Sequence, residues 1–317
     1  MATGAPNAIL AVNSLDRYIE VINGNANQPV QNTLQDLYFS LPPYSNDFTI
    51  SSPGALIYGY INRIVVSQIQ IQYNIPTVID GVNNRFFIGV GPQSANVKYA
   101  VTIPYGFYVP DELAAQLQTT INSIGPLGAL TFTVDYQPRD GFVFNATSNF
   151  YFPSYTAIIN TPGETVQSAT VVLKAYKLLG ITIANTDTGL TQFSQIFPNF
   201  LYSPYIDFYS DVLTNYQNIK DTNTSVSKPK GLIARVYLSG NGNVQSQSET
   251  AALGSEPFVV TADMNSPKVI KWTPDVAVPS IDFQLRDCYG DLIPTTPQTG
   301  SYSTEFQMTL LCVEDDR

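Results

Sequence analysis

Alternation of apolar and polar residues with a period of two dominates the chain, most clearly at Tyr60–Ile75 and Ser280–Glu314. In the first stretch Val65, Ser67, Ile69, Ile71, Tyr73 and Ile75 fall on one side and Gln68, Gln70, Gln72 and Asn74 on the other. That spacing predicts a strand with one face in a core and a row of uncharged polar groups on the other. Pro76 ends the run. In the second stretch Ile281, Phe283 and Leu285 alternate with Asp282, Gln284 and Arg286. Further on, Phe306, Met308, Leu310 and Cys312 alternate with Gln307, Thr309, Leu311 and Val313. The outward face turns apolar at Leu311 and Val313, which predicts cover from another layer or another chain. Gly290, Pro294, Pro297 and Gly300 break the chain in between, so the two runs read as a terminal hairpin whose last strand is central to its sheet.

Further strands are expected at Leu34–Leu41, Tyr205–Leu213, Leu232–Ser239, Pro257–Thr261 and Lys268–Thr273. With Tyr60–Ile75, Ile281–Cys288 and Glu305–Val313 they make eight, the number for a single jelly roll, an eight-stranded antiparallel sandwich. The middle of the chain has another character. A strand at Lys98–Ile103 leads into PDELAAQLQTTINSIG, which predicts a helix: Pro110 suits the first turn, Asp111 and Glu112 the positive end of the dipole, and Leu113, Leu117, Ile121 and Ile124 form one stripe. Leu130–Tyr136 and Phe142–Asn145 flank Asp140-Gly141 as a hairpin would, and a second helix is expected over Val171–Leu179, closing at Gly180. The expected organisation is therefore mostly β. Residues 1–35 form an extended arm that orders only against something else, 36–84 and 200–317 form the jelly roll, and 85–199 are an inserted α+β segment.

The chain has 317 residues and 44% apolar content, enough for a substantial core. Charged residues are only 13%, about half the usual share. Asn, Gln, Ser, Thr and twenty tyrosines make up the difference, giving a surface that costs little to desolvate against neighbours. A net charge of -10, with Arg17 the only basic residue through position 62, argues against direct nucleic-acid binding. Lys228 and Lys230, the nearest approach to a basic cluster, read as solvated loop. No stretch approaches eighteen uninterrupted apolar residues, so no transmembrane segment is expected, and the first residues lack the basic start of a secretion signal. The sequons at Asn145 and Asn223 carry meaning only in a secretory compartment. Cys288 and Cys312 do not make a disulfide framework and are expected as free, buried thiols.

The chain has no histidine, which excludes Ser-His-Asp and Cys-His nucleophiles, His-rich zinc sites and a histidine general base. Gly89 and Gly91 form a GxG without the third glycine, helix or acidic residue of a dinucleotide site. Asp287 and Asp291 flank Gly290 and could hold a cation or do acid work, but turn-capping is the commoner role of Asp beside Gly. Trp272 is the only tryptophan, and a carbohydrate cleft usually shows more. No catalytic, cofactor-binding or metal residue is assigned, and the chain is not read as an enzyme.

Three stretches resemble the penton, or vertex minor capsid, proteins of virophages and related polinton-like double-stranded DNA viruses. They are VTIPYGFYVPDELAAQLQTTIN at Val101–Asn122, SPYIDFYSDVLTNYQNIKD at Ser203–Asp221, and FQLRDCYGDLIP with EFQMTLLCVED near the end. The resemblance implies a single jelly roll with inserted elements, five copies at each icosahedral vertex, and contacts with surrounding major capsid protein capsomers. It implies a virion protein assembled in the infected host cell, and no catalytic residues. The Gln68, Gln70 and Gln72 face, or the Leu311 and Val313 end of the last strand, is then expected to bury against neighbours. A receptor- or glycan-binding β-sandwich, such as a fibre head or lectin-like domain, is the alternative of a different class.

Overall fold

The computed structural model describes residues 8–14, 46–52, 55–57, 61–95, 97–182, 184, 186–215, 231–238, 244–245, 257–264, 268–272, 277–294 and 304–313. The chain divides into two compact units, one of 1–75, 203–245 and 258–317, the other of 76–202 with 246–257. The first unit opens with β1 (Ala8–Asn13), β2 (Asp47–Ser51) and β3 (Arg63–Tyr73). The second holds β4 (Arg85–Val90), β5 (Lys98–Thr102), α1 (Pro110–Ser123), β6 (Thr133–Gln137), β7 (Gly141–Tyr151), α2 (Val166–Leu179) and β8 (Gly189–Phe193). The first then resumes with β9 (Tyr205–Tyr209), β10 (Leu232–Tyr237), β11 (Val244–Gln245), β12 (Phe258–Asp263), β13 (Val269–Lys271), β14 (Ser280–Arg286) and β15 (Glu305–Val313).

The first unit contains two antiparallel sheets. One runs β1-β15-β3-β12-β11, with β13 also on β3, and the other runs β10-β9-β14-β2. Alternation along β15 and β14 buries Phe306, Met308, Leu310 and Cys312 in one sheet and Ile281, Phe283 and Leu285 in the other. The sheets meet at aromatic rings: Phe306 lies 5.0 Å from Phe208, 5.7 Å from Phe283 and 5.9 Å from Phe48, centroid to centroid. Ser14, at the end of β1, locks this place by accepting the Phe306 backbone N–H at 2.9 Å and donating to the Glu305 carboxylate.

Four expectations change in this unit. The two C-terminal runs do not pair with each other: β14 belongs to the four-stranded sheet and β15 to the six-stranded one, so they face across the core. Period-two patterning fixes which side of a strand is buried but not which strand lies beside it, so two apolar faces that meet across a sandwich look like a hairpin. β15 is flanked on both edges, by β1 and β3, as expected of a central strand. On β3 the alternation breaks at Ser67. Gln68 pairs with Thr309 and Val66 with Leu310, so Ser67 is the extra residue of a bulge. Ile64 and Val66 are therefore buried and Val65 faces outward, the reverse of the reading from spacing. The eight strands counted from the sequence are also not the eight longest found. Ala8–Asn13, within the range expected as an arm, pairs with β15, and Asp47–Ser51 pairs with β14. Lys268–Thr273 yields only the three-residue β13, and Leu34–Leu41 lies outside the described residues.

The strand expected to reach Leu213 stops at Tyr209. Ser210 turns the chain into a helical turn at Asp211–Thr214 by accepting the Leu213 N–H at 3.2 Å. Asp282 completes the cap, accepting Ser210 Oγ at 2.8 Å and the Asp211 and Val212 N–H groups at 2.9 Å each.

In the second unit β5-β4-β7-β6 form a sheet, with β8 also on β7. The expected hairpin is β6 and β7, and Gly141 at its turn has φ +73°. Leu113, Leu117 and Ile121 of α1, and Ala169, Val172, Ala175 and Leu179 of α2, enter one core with Phe86, Phe142, Phe144, Phe150 and Phe152. α2 starts at Val166, five residues before the expected Val171, because Thr165 and Ser168 cap it reciprocally. The first turn exposes Val166 and Gln167, so it carries no apolar stripe for spacing to detect. Tyr176 is buried to its hydroxyl, which donates to the Pro153 carbonyl at 2.9 Å.

Phe306→Ala removes the ring that three inter-sheet contacts share. It is expected to lower stability to urea unfolding by about 3–5 kcal/mol, whereas the outward Gln307→Ala on the same strand should change it by no more than about 0.5 kcal/mol.

Candidate interaction surfaces

The residues singled out for chemistry take structural places. Asp287 is buried, and its Oδ1 accepts the Tyr289 and Asp291 N–H groups at 2.8 and 3.0 Å, closing the turn in which Gly290 has φ +85°. Asp291 is exposed, and its backbone carbonyl accepts the Asp287 N–H at 2.9 Å, so the pair is a turn cap. Gly89 lies under the Tyr151 ring, where a Cβ would sit 2.2 Å from the ring, so the first glycine of the GxG serves close packing between β4 and β7. Trp272 is buried, and Asn145 on β7 accepts from Thr191 at 2.7 Å. Lys228, Lys230 and Asn223 lie outside the described residues. Among the described residues no group of three or more His, Cys, Asp or Glu side chains could hold a metal ion, and no helix is long and apolar enough to cross a membrane.

Both cysteines are free. Cys312 is on the core face of β15, and burial pushes its thiol up to about 11, so it stays protonated and poorly nucleophilic near neutral pH. Cys288 follows β14, half-buried, with its N–H donated to Ser203 Oγ at 3.0 Å.

What the first unit offers is surface. On the outer face of the six-stranded sheet Gln68, Gln70 and Gln72 are exposed, as the spacing predicts. Register places Gln70 between Thr261 and Gln307, Gln68 between Asp263 and Thr309, and Gln72 between Val259 and Glu305. Gln68 donates to Asp263 at 2.8 Å. This is a broad amide and hydroxyl surface with charge only at its margins, able to exchange hydrogen bonds with a neighbour without stranding a buried ion.

The outer face of the four-stranded sheet carries a constellation that alternation alone did not reveal. Arg235 on β10 faces Asp207 on β9 in register and grips it through two bonds, Nε to Oδ1 at 2.6 Å and Nη2 to Oδ2 at 2.8 Å. Its guanidinium lies 3.9 Å from the Tyr205 ring centroid, and the Tyr205 and Tyr237 rings are 5.8 Å apart. The bond to Asp207 holds Arg235 even more firmly protonated than usual. Asp207 is buried beneath this arrangement, and Tyr237 is 56% exposed. Tyrosine and arginine are the residues that anchor protein contacts, and here they are held rigid in advance. The available signal was the alternation Tyr205-Asp207-Tyr209 against Arg235-Tyr237, readable only once β9 and β10 are known to pair.

In the second unit Phe193, Ile196 and Phe197 are 49%, 49% and 72% exposed. They line a recess of about 380 Å³ together with Arg139, Asp140 and Gly141.

No protein-family model matches the chain, and no curated protein matches it. Solved structures do. The mavirus penton protein aligns over 83% of this chain and 92% of its own, with 8% identity and a TM-score of 0.44. A chain from the cryo-EM structure of the Sputnik virophage aligns over 84% of this chain and 92% of its own, with 13% identity and a TM-score of 0.37.

The difference in burial between the thiols has a direct chemical readout. In the native protein at pH 8, a maleimide or iodoacetamide is expected to label Cys288 well before Cys312, by peptide mass spectrometry. Cys312 should react at a comparable rate only in denaturant.

Proposed function

We propose that this chain is a structural protein of an icosahedral virion, a single jelly roll with an inserted α+β unit that forms a pentameric vertex capsomer and contacts major capsid protein capsomers. One observation carries the reading. Taken in order, the eight strands of five or more residues described in the first unit are β1, β2, β3, β9, β10, β12, β14 and β15. The first pairs with the last, the second with the seventh, the third with the sixth and the fourth with the fifth. Nested pairing of this kind is a long antiparallel ribbon, and rolling it into a sandwich sends alternate members to opposite sheets, giving two interlocked Greek keys. Further pairs, β15 with β3 and β14 with β9, join the ribbon to itself. The second unit departs between β3 and β9, a loop position of the roll, and 76–202 form its main body.

Three further features support a role carried out by surfaces. Charged residues are scarce, the outer sheet faces present ordered amide, hydroxyl, tyrosine and arginine groups, and the sequence motifs resemble the penton proteins of virophages. In a five-membered ring each subunit meets two neighbours through a heterologous contact that closes only at the correct rotation. A vertex ring then meets its surroundings through several copies at once, so weak individual contacts suffice and misplaced subunits can leave.

The mass of the full-length protein, by native mass spectrometry or light scattering over a range of salt and concentration, tests the proposal. A five-subunit species is the expected result, alone or after addition of major capsid protein. A stable trimer that binds glycan saturably would overturn it in favour of a fibre-head or lectin-like role.

A further inference from the structure

The bulge at Ser67 has a consequence on the outer surface. Because it reverses the facing of the first half of β3, Val65 points out, and register sets it beside Leu311 on β15 and Val269 on β13. Leu311 in turn sits beside Ile9 on β1. Ile9, Leu311, Val65 and Val269 thus make one apolar row straight across four hydrogen-bonded strands. Its two ends are the most open, Ile9 at 65% and Val269 at 48% exposure. The next row toward one end of the sheet is Val313, Arg63 and Lys271, and the next toward the other end is Ala11, Thr309, Gln68 and Asp263. An apolar line is therefore flanked by basic groups on one side and a carboxylate on the other.

We infer that this face docks on the same face of a second copy of the chain across a two-fold axis running along the apolar row. The charge pattern selects this occupant. Rotation by 180° about an axis in the sheet plane, perpendicular to the strands and centred on the row, lays the row on itself and exchanges the flanking rows. β12 and β13 pair with the same edge of β3, opposite β15, so the exchange sets Lys271 of one copy over Asp263 of the other, twice. Isologous contacts require this self-complementarity. The four strands span about 19 Å and the three rows about 14 Å, a contact well below the roughly 800 Å² per partner of a standard interface. Association is consequently weak and appears at high protein concentration. It does not depend on the five-fold reading, because the row and its flanking charges lie within one chain and join two copies whether or not a ring forms.

Sedimentation equilibrium of the full-length protein across a wide concentration range tests this. The expected result is a concentration-dependent doubling of mass, weakened about tenfold or more by Val65→Lys. Lys271→Asp and Asp263→Lys, both at exposed positions, should each abolish doubling alone. Mixed in equal amounts they should restore it, since each acidic row then meets a basic one. Absence of doubling in the wild type, doubling that survives Val65→Lys, or a mixture no more associated than its components would overturn the inference. If Val65→Lys fails to fold, the charge-reversal pair still decides. The mass of the undoubled species reads the five-fold proposal separately from the same data.

Discussion

Strand β15 is paired along both edges and buried on one face by rings from the opposite sheet, and these two requirements leave the first unit little choice of topology. Phe306 can be shielded from water only if β2, β9 and β14 supply Phe48, Phe208 and Phe283 from across the core. Those strands come from three distant parts of the chain, so most of the first unit must be in place before the central ring is covered. Long-range pairing of this kind makes folding slow and cooperative, because chain closure precedes the burial that rewards it. Ser14 shows how closely the ends are tied: one hydroxyl near the start of the chain holds the Phe306 N–H near its end.

The same geometry determines what the outside can be. A strand inside a sandwich has only its second face to offer, and on β3 and β15 that face is mainly Gln and Thr, with Glu305 toward one end, a short apolar row toward the other and Arg63 beyond it. Glutamine bonds laterally to its neighbours, as Gln68 does to Asp263, while remaining able to bond to something above it. On the four-stranded sheet the choice is different. Arg235 is committed to Asp207 and stacked on Tyr205, so what it presents outward is a rigid tyrosine and guanidinium surface. Both surfaces are ordered before any partner arrives, which lowers the entropy lost on contact.

How much of this could be read from the sequence follows from which forces are local. Helix α1 was legible to its ends because Pro110, the two acids and the apolar stripe lie within one short stretch and act through neighbours in the chain. The β6–β7 hairpin was legible because Asp140-Gly141 encodes its own turn. The terminal hairpin misled for the opposite reason: alternation along β14 and β15 is identical whether the strands pair or face each other across a core, and only the strands that flank each of them, β2 and β9 for β14 and β1 and β3 for β15, distinguish the cases. The Gln face was visible as a period of two. The Arg235–Asp207 grip was not, since neither residue predicts the other without the register of β9 on β10.

Ser67 joins these levels. A strand of eleven residues with unbroken alternation would have put Val65 in the core and Ile64 and Val66 in water. The sequence Ile64-Val65-Val66 is apolar at all three positions, so it is compatible with either facing. Burying two of the three is better than burying one, and each additional buried aliphatic side chain contributes about 1.5–3 kcal/mol. One inserted residue achieves this while leaving Ile69, Ile71 and Tyr73 inward beyond the bulge. The ladder irregularity is offset locally, because the Ser67 carbonyl accepts the Met264 N–H at 2.9 Å and its hydroxyl donates to Thr309 O at 3.3 Å. What remains is a single valine facing outward, and it acquires significance only because β1, β13 and β15 each present an aliphatic side chain in the same row.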